Sequence, residues 1–199
     1  LGFNKADPKA MRAPPRSRNE SIMSRWMLAR YVITGAYVGF ATIGAFLWWF
    51  RDKHVSLRHL SQWTICREWP DFTHSAEAPN LPLDPCDIFS SGRHKSRAQA
   101  MALSTLVSME MLKALSATSL TKSILKSPPW TNPTLVLGVA IPFLLHLGIL
   151  YVPTLAKIFG LAPLTWQEWE VVAKFALPIL LVEEILKYIT RHKADLAAM

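Results

Sequence analysis

Two oppositely charged residues stand inside an apolar run of this chain. The run, residues 98–116, reads AQAMALSTLVSMEMLKALS and contains Glu110 and Lys113. Placing an ionisable side chain at bilayer depth costs roughly 2.5–3.5 kcal/mol on insertion scales, so such groups usually face a bundle interior, pair with each other or line an ion path. Glu110 is therefore the first residue for which the sequence demands a functional explanation.

Composition assigns the chain to the membrane proteins. Of its 199 residues, 51% are hydrophobic and only 18% are charged, which is too apolar for an ordinary basic soluble domain. Four apolar runs reach or approach the roughly 20 residues that a bilayer-spanning helix needs. They are residues 28–50, 98–116, 134–152 and 171–190. We therefore predict an all-α polytopic membrane protein with a four-helix transmembrane bundle over residues 28–190.

The flanking charges predict the orientation of these spans. Basic residues outnumber acidic ones ahead of the first span, so the positive-inside rule makes residues 1–27 cytosolic. With four spans the tail 191–199 is then cytosolic too, and the loop 51–97 is luminal.

The net charge of +8 comes from such flanks and not from a patch with interleaved aromatic residues, which argues against a nucleic-acid partner. The chain lacks a signal-peptide pattern and begins with Leu1, so we expect it to be part of a longer protein.

Two glycines and two cysteines predict structural features. Gly35 and Gly39 lie one helical turn apart in the first predicted span, where small residues let another helix approach closely, although glycine is also common in membrane helices without that role. The loop 51–97 contains Cys66 and Cys86. A luminal loop permits a disulfide between them, and two free thiols are the alternative. Their spacing does not match a metal site.

The last two predicted spans contain further titratable residues. His146 stands alone in the third span, and we expect a hydrogen-bonded interior side chain there in preference to a proton relay. In the fourth span Glu183 and Lys187 are spaced at i,i+4, so we expect an ion pair at the helix end with the lysine stem reaching the membrane surface. Pro178 should bend that helix.

No nucleotide-binding, hydrolase or metalloprotease motif occurs in the sequence, so we do not expect this chain to be an enzyme by itself.

A series of segments in collinear order gives the chain a family resemblance. The series runs from LGFN and PPR through GAYVGFATIG and WWF to CDIF and MALSTLVSMEMLKAL, and ends with PPWTNP, LHLGILYV and LPILLVEEILK. Together these segments resemble the C-terminal part, transmembrane helices seven to ten, of the P-type calcium-transporting ATPases of the sarco/endoplasmic reticulum type. The resemblance covers nearly the whole chain.

This resemblance implies a function for the parent protein. The family members are ATP-driven pumps that move calcium from the cytosol to the lumen of the endoplasmic reticulum through an aspartyl-phosphate intermediate. ATP and Mg²⁺ would bind only in parts of the pump outside this chain. The partners of the chain would be the lipid bilayer, the remaining helices and cytosolic domains, and small membrane regulatory peptides. The chain would then be the transmembrane support domain of the pump.

The resemblance also implies roles for individual residues. Glu110 matches the glutamate that supplies a carboxylate oxygen to a calcium site, and calcium prefers such hard oxygen ligands. Cys66 and Cys86 match a luminal disulfide pair, and Asp7 matches an acidic residue of a loop that contacts the phosphorylation domain. Lys113 departs from the family, which commonly has Asn there. Its ammonium either pairs with Glu110 at i,i+3 and takes the place of a metal ion, or extends towards the cytosolic end and leaves Glu110 free.

One alternative from a different class stays open at this point. A stand-alone four-span membrane protein, serving as a channel subunit or as a structural partner, would contain the same apolar runs. An upstream reading frame that encodes the aspartyl-phosphate motif favours the pump. An initiator methionine directly before Leu1, with no upstream exon, favours the alternative.

Overall fold

The computed structural model describes Met23, residues 25–53, 55–68, 85–89 and 94–117, Pro128, Trp130 and residues 132–197. All regular structure in these residues is helical, so the all-α prediction is confirmed for this part of the chain. The α-helices are α1 Arg25–Asp52, α2 Leu57–Ser61, α3 His94–Ser116, α4 Pro133–Tyr151, α5 Pro153–Phe159, α6 Trp166–Ala176 and α7 Pro178–Ala197. Two short 3₁₀ helices, Trp63–Glu68 and Pro85–Ile88, lie between α2 and α3 in sequence.

Two of the described helices, α1 and α4, are long and apolar enough to cross a membrane. They contain 28 and 19 residues. At 1.5 Å per residue these lengths correspond to about 42 Å and about 28 Å, against a hydrocarbon core of roughly 30 Å. The count of four membrane spans stays a prediction, because α3 carries charges near both ends and the fourth predicted span is divided.

The fourth predicted span, residues 171–190, is two helices and not one bent helix. α6 ends at Ala176 and α7 begins at Pro178, with a turn at Leu177 between them. A proline disfavours helical backbone at the residue before it and lacks the N–H that would continue the helix. At the first position of a new helix that N–H has no intrahelical partner anyway, so Pro178 starts α7 without losing a hydrogen bond.

Local sequence also explains where α4 begins and where α5 ends. Ahead of α4, the Asn132 side chain accepts a 3.2 Å hydrogen bond from the Leu135 amide, and Pro133 is the first helical residue. This is the usual combination of an N-cap amide with proline at the next position. α5 ends at Gly160, whose φ of +65° lies in the left-handed region that glycine adopts without a Cβ penalty.

The described residues form two compact units. The first lies within Leu1–Gly39, Met109–Pro142 and Leu177–Met199, and the second lies within Phe40–Ser108 and Phe143–Ala176. The second unit has a core of buried apolar side chains that includes Trp49, Phe50, Val55, Ile88, Ala98, Met101, Leu150, Leu164, Val171 and Val172. In the first unit the buried side chains include several charged and hydroxyl-bearing ones, namely Thr34, Ser116, Glu183 and Lys187.

Candidate ion-binding site

Glu110 and Lys113 form an ion pair on α3. The Lys113 Nζ lies 3.0 Å from Glu110 Oε1 and 3.3 Å from Glu110 Oε2. The Glu110 side chain is 45% exposed and the Lys113 side chain is 28% exposed, so the pair lies at the surface of the described chain. The sequence left two placements of Lys113 open, and the structure contains the paired one. The i,i+3 spacing is sufficient to bring the two groups together.

Glu110 does not belong to a complete metal-ligand cluster in the described part of the chain. Within the described ranges, no group of three His, Cys, Asp or Glu side chains lies close enough to hold a metal ion. Calcium in proteins takes about six to eight oxygen ligands. Glu110 can therefore be one ligand of a calcium site, and other residues must supply the remaining oxygens.

Glu183 links α7 to α1 inside the first unit. Its Oε2 accepts a 2.6 Å hydrogen bond from Arg30, and its Oε1 lies 3.4 Å from the Thr34 hydroxyl. The Arg30 and Glu183 side chains are only 15% and 10% exposed. Nearer the start of α1 and further along α7, the Trp26 indole donates a 3.0 Å hydrogen bond to the Thr190 hydroxyl. These contacts hold α1 beside α7 at two separate levels.

Lys187 is buried against the end of α3. Its side chain has 0% exposure, and its Nζ donates a 2.7 Å hydrogen bond to the backbone carbonyl of Ser116, the last residue of α3. A second contact places Nζ 3.6 Å from Glu184 Oε1. The expectation that the Lys187 stem reaches the membrane surface is wrong, because α3 lies where the side chain would have extended. The sequence offers no local signal for this contact, since the two residues are 71 positions apart.

His146 connects α4 to α3 inside the second unit. Its side chain is buried, and its Nε2 lies 2.9 Å from Ser104 Oγ. Which of the two atoms donates depends on the tautomer of the imidazole ring. The prediction of an interior hydrogen-bonded histidine is confirmed.

Glu168 joins three helices inside the second unit. At the start of α6 its Oε2 accepts hydrogen bonds of 2.6 Å from the Thr165 amide and 2.9 Å from the Thr165 hydroxyl, while the Glu168 amide donates to that hydroxyl oxygen at 3.4 Å. This reciprocal arrangement is a capping box. Its Oε1 accepts a 3.3 Å hydrogen bond from the Trp49 indole of α1 and lies 3.9 Å from Arg97 of α3. The Thr-x-x-Glu spacing ahead of an apolar run is the sequence signal for this cap.

Comparison with known proteins assigns the family. Residues 1–189 match the sequence profile of the family described as cation transporting ATPase, C-terminus. The chain belongs to this family. Its helices are therefore those of a membrane domain, in agreement with the prediction of a polytopic membrane protein and with the resemblance noted in the sequence.

Curated relatives of this cation-transporting ATPase domain come from plants, protists and fungi. The chain is 39% identical to Calcium-transporting ATPase 4, endoplasmic reticulum-type, of Arabidopsis thaliana, over 96% of the chain and 20% of that protein. It is 37% identical to the Calcium-transporting ATPase of Plasmodium falciparum, over 97% of the chain and 16% of that protein. It is 36% identical to the Endoplasmic reticulum calcium ATPase srcA of Aspergillus fumigatus, over 100% of the chain and 20% of that protein. The chain thus spans a fifth or less of the length of these relatives.

The glycines of this ATPase domain differ in their surroundings. A Cβ added at Gly35 or Gly39 would have no atom within 4 Å among its described neighbours on other helices. A Cβ added at Gly44 would lie 2.9 Å from Cε1 of the Phe175 ring. Among these three glycines, the one closely approached by another helix is Gly44, five residues beyond Gly39. Any helix that packs on Gly35 and Gly39 has to come from outside the described residues.

Two other predictions concern residues outside the α-helices of the ATPase domain. Cys66 and Cys86, in the two 3₁₀ helices, are joined by a disulfide with their Cα atoms 5.2 Å apart. Asp7, which the resemblance assigned to a contact with the phosphorylation domain, lies outside the described residues. Its role stays a prediction.

Proposed function

We propose that this chain is the C-terminal transmembrane domain of an ATP-driven calcium pump of the endoplasmic reticulum membrane. The pump would carry Ca²⁺ from the cytosol to the lumen, and parts of the protein outside this chain would bind ATP and Mg²⁺. Family membership supports the domain assignment, and the names of the relatives support calcium and the endoplasmic reticulum. The bilayer and the remaining helices and cytosolic domains of the pump would be its partners.

Within this function we propose that Glu110 supplies one carboxylate to a calcium site. The observation that carries the proposal is the position of this carboxylate on α3: it stands within the apolar run 98–116 and is 45% exposed. A half-exposed carboxylate at this position can coordinate a calcium ion whose remaining oxygen ligands come from neighbouring helices. The acids Glu168 and Glu183 differ from Glu110 because they are buried and bonded to residues of another helix, α1.

Lys113 would compete with calcium for this carboxylate. Its ammonium lies at 3.0 and 3.3 Å from the two Glu110 oxygens, close to where a bound cation would have to sit. Calcium binding at Glu110 would therefore require the ammonium to withdraw, and the long flexible stem of lysine permits that withdrawal. Lys113 would in this way modulate the affinity or the stoichiometry of the site.

The proposed topology follows from the flanking charges. Both termini would be cytosolic and the loop 51–97 would be luminal. The disulfide between Cys66 and Cys86 agrees with this assignment, because the lumen of the secretory pathway is oxidising and the cytosol is reducing.

Calcium binding at equilibrium tests the site. We expect the full-length protein with Glu110→Ala to bind fewer calcium ions, or to bind them more weakly, while keeping its capacity for phosphorylation from ATP. Lys113→Asn should have the opposite effect, because the competing ammonium is gone. Glu170→Ala, which removes an exposed carboxylate from α6, is the matched control and should bind calcium as the wild type does.

Unchanged calcium binding in both Glu110→Ala and Lys113→Asn would make Glu110 a structural carboxylate. The wider assignment has a separate test in the gene. A transcript whose reading frame extends upstream through an aspartyl-phosphate motif supports the pump, and a complete transcript without that motif contradicts it.

A further inference from the structure

The last turn of α3 is held by a side chain from a distant part of the chain. A helix leaves its final carbonyl groups without intrahelical partners. The carbonyl of Ser116 is one of these groups, and Lys187 of α7 donates a 2.7 Å hydrogen bond to it. The positive charge of the lysine also lies at the negative end of the helix dipole. Lys187 therefore caps α3 from another helix.

Lys187 is itself fixed in place. Its side chain is fully buried, and Glu184 lies 3.6 Å from its ammonium. The helix that bears it is tied to α1 through the 2.6 Å bond between Arg30 and Glu183, one residue before Glu184. The contacts of α7 with α1 and of Lys187 with Glu184 hold the ammonium at the end of α3, so Lys187 anchors that end of the helix.

The anchored turn contains one half of the candidate ion site. The Lys113 carbonyl accepts a 2.9 Å hydrogen bond from the Ala117 amide, so Lys113 belongs to the turn that Lys187 caps. Glu110 lies six residues before Ser116, which is less than two helical turns at 3.6 residues per turn. If the last turn frays, the backbone no longer fixes the orientation of the Glu110 carboxylate. We expect this loss to weaken calcium binding by more than the release of the Lys113 ammonium strengthens it.

We propose that Lys187 is a positioning residue for the Glu110 site. It sets the geometry of the last two turns of α3 by capping the Ser116 carbonyl, and it couples that geometry to α7 and α1. This inference rests on the proposed calcium site, but the capping of α3 has a readout of its own that does not depend on calcium.

The test uses the full-length protein with Lys187→Met, which keeps the length of the side chain but removes the charge and the donor. Without calcium, amide hydrogen exchange in the peptide covering residues 110–117 should become faster. The calcium concentration for half-maximal phosphorylation from ATP should rise by about tenfold, the lower end of the loss seen when outer-shell partners of metal ligands are removed. The maximal phosphorylation level should stay near that of the wild type, because α3 lies outside the parts proposed to bind ATP.

Three variants serve as comparisons. Lys187→Arg keeps a cationic donor and should restore most of the wild-type behaviour. Lys174→Met makes the same substitution at an exposed lysine of α6 and should change neither readout. Ser116→Ala should also be neutral, because its buried hydroxyl oxygen has no hydrogen-bond partner in the described part of the chain and the backbone carbonyl remains.

The outcomes separate this inference from the proposed function. A wild-type rate of amide exchange in Lys187→Met would overturn the inference. A second result would also overturn it: faster exchange in Lys187→Met with a wild-type calcium dependence, while Glu110→Ala weakens calcium binding. Unchanged calcium dependence in both Lys187→Met and Glu110→Ala would remove the calcium site itself, and the positioning role with it. If Lys187→Met does not accumulate, Lys187→Gln, which keeps a neutral donor, is measured against the same controls and judged by the same outcomes.

Discussion

Replacing Glu168 by alanine should destabilise the domain far more than replacing Glu170, although both carboxylates lie in the first turns of α6. Glu168 is 8% exposed and accepts hydrogen bonds from the Thr165 amide, the Thr165 hydroxyl and the Trp49 indole. Glu170 is exposed. The alanine variant at Glu168 therefore loses the α6 cap and a link to α1 in one step.

The size of the effect follows from the contacts that are lost. A hydrogen bond to a charged group contributes about 1.5–3 kcal/mol net to the free energy of unfolding, and we assign this contribution to the bond between the Trp49 indole and the Glu168 carboxylate. Loss of a side-chain cap at a helix start costs about 1 kcal/mol. We therefore expect Glu168→Ala to lower the free energy of unfolding by about 3 kcal/mol. Glu168→Gln keeps one acceptor oxygen and should cost about 1–2 kcal/mol, and Glu170→Ala should stay within about 0.5 kcal/mol of wild type.

Equilibrium unfolding of the detergent-solubilised protein, followed by tryptophan fluorescence, measures these differences. A double-mutant cycle with Trp49→Phe isolates the bond between the indole and the carboxylate, and its coupling energy should exceed about 0.5 kcal/mol, since contacting residues couple in this range. The reasoning is refuted if Glu168→Ala is no more destabilising than Glu170→Ala. It is also refuted if Glu168→Ala and Trp49→Phe are strictly additive.

Three further predictions concern the loop and the glycines of α1. Mass spectrometry of unreduced protein from microsomes should find the peptides of Cys66 and Cys86 linked, as the proposed luminal loop requires, and alkylation of both thiols under those conditions would contradict it. Gly39→Leu should lower the folded yield or turnover of the full-length protein, since a helix outside the described residues is expected on this face; wild-type stability and activity would show that the glycine is incidental. Gly44→Ala should lower the unfolding temperature, because the added methyl group meets the Phe175 ring at 2.9 Å and overpacking of this kind costs about 1–3 kcal/mol. An unchanged unfolding temperature would mean that the ring shifts without loss.

Sequence alone determined three long helices and the ion pair within α3 that matters for the site. Apolar runs located α1, α3 and α4 to within a few residues of their ends. Glu110 and Lys113 were placed side by side by the period of the helix, because neighbours at i and i+3 are set by local geometry whatever else the chain does. The family resemblance likewise depended only on the order of segments along the chain.

Tertiary structure decided which polar groups are buried and what they bind. Arg30 meets Glu183 across 153 positions, and Lys187 meets the end of α3 across 71. Spacing along α7 predicted that Lys187 would pair locally and reach the membrane surface, but helical periodicity says only which residues share a face and not which other helix covers that face. Once α3 covers it, burial of the ammonium demands a hydrogen-bond acceptor, and the free carbonyl at the end of α3 supplies one.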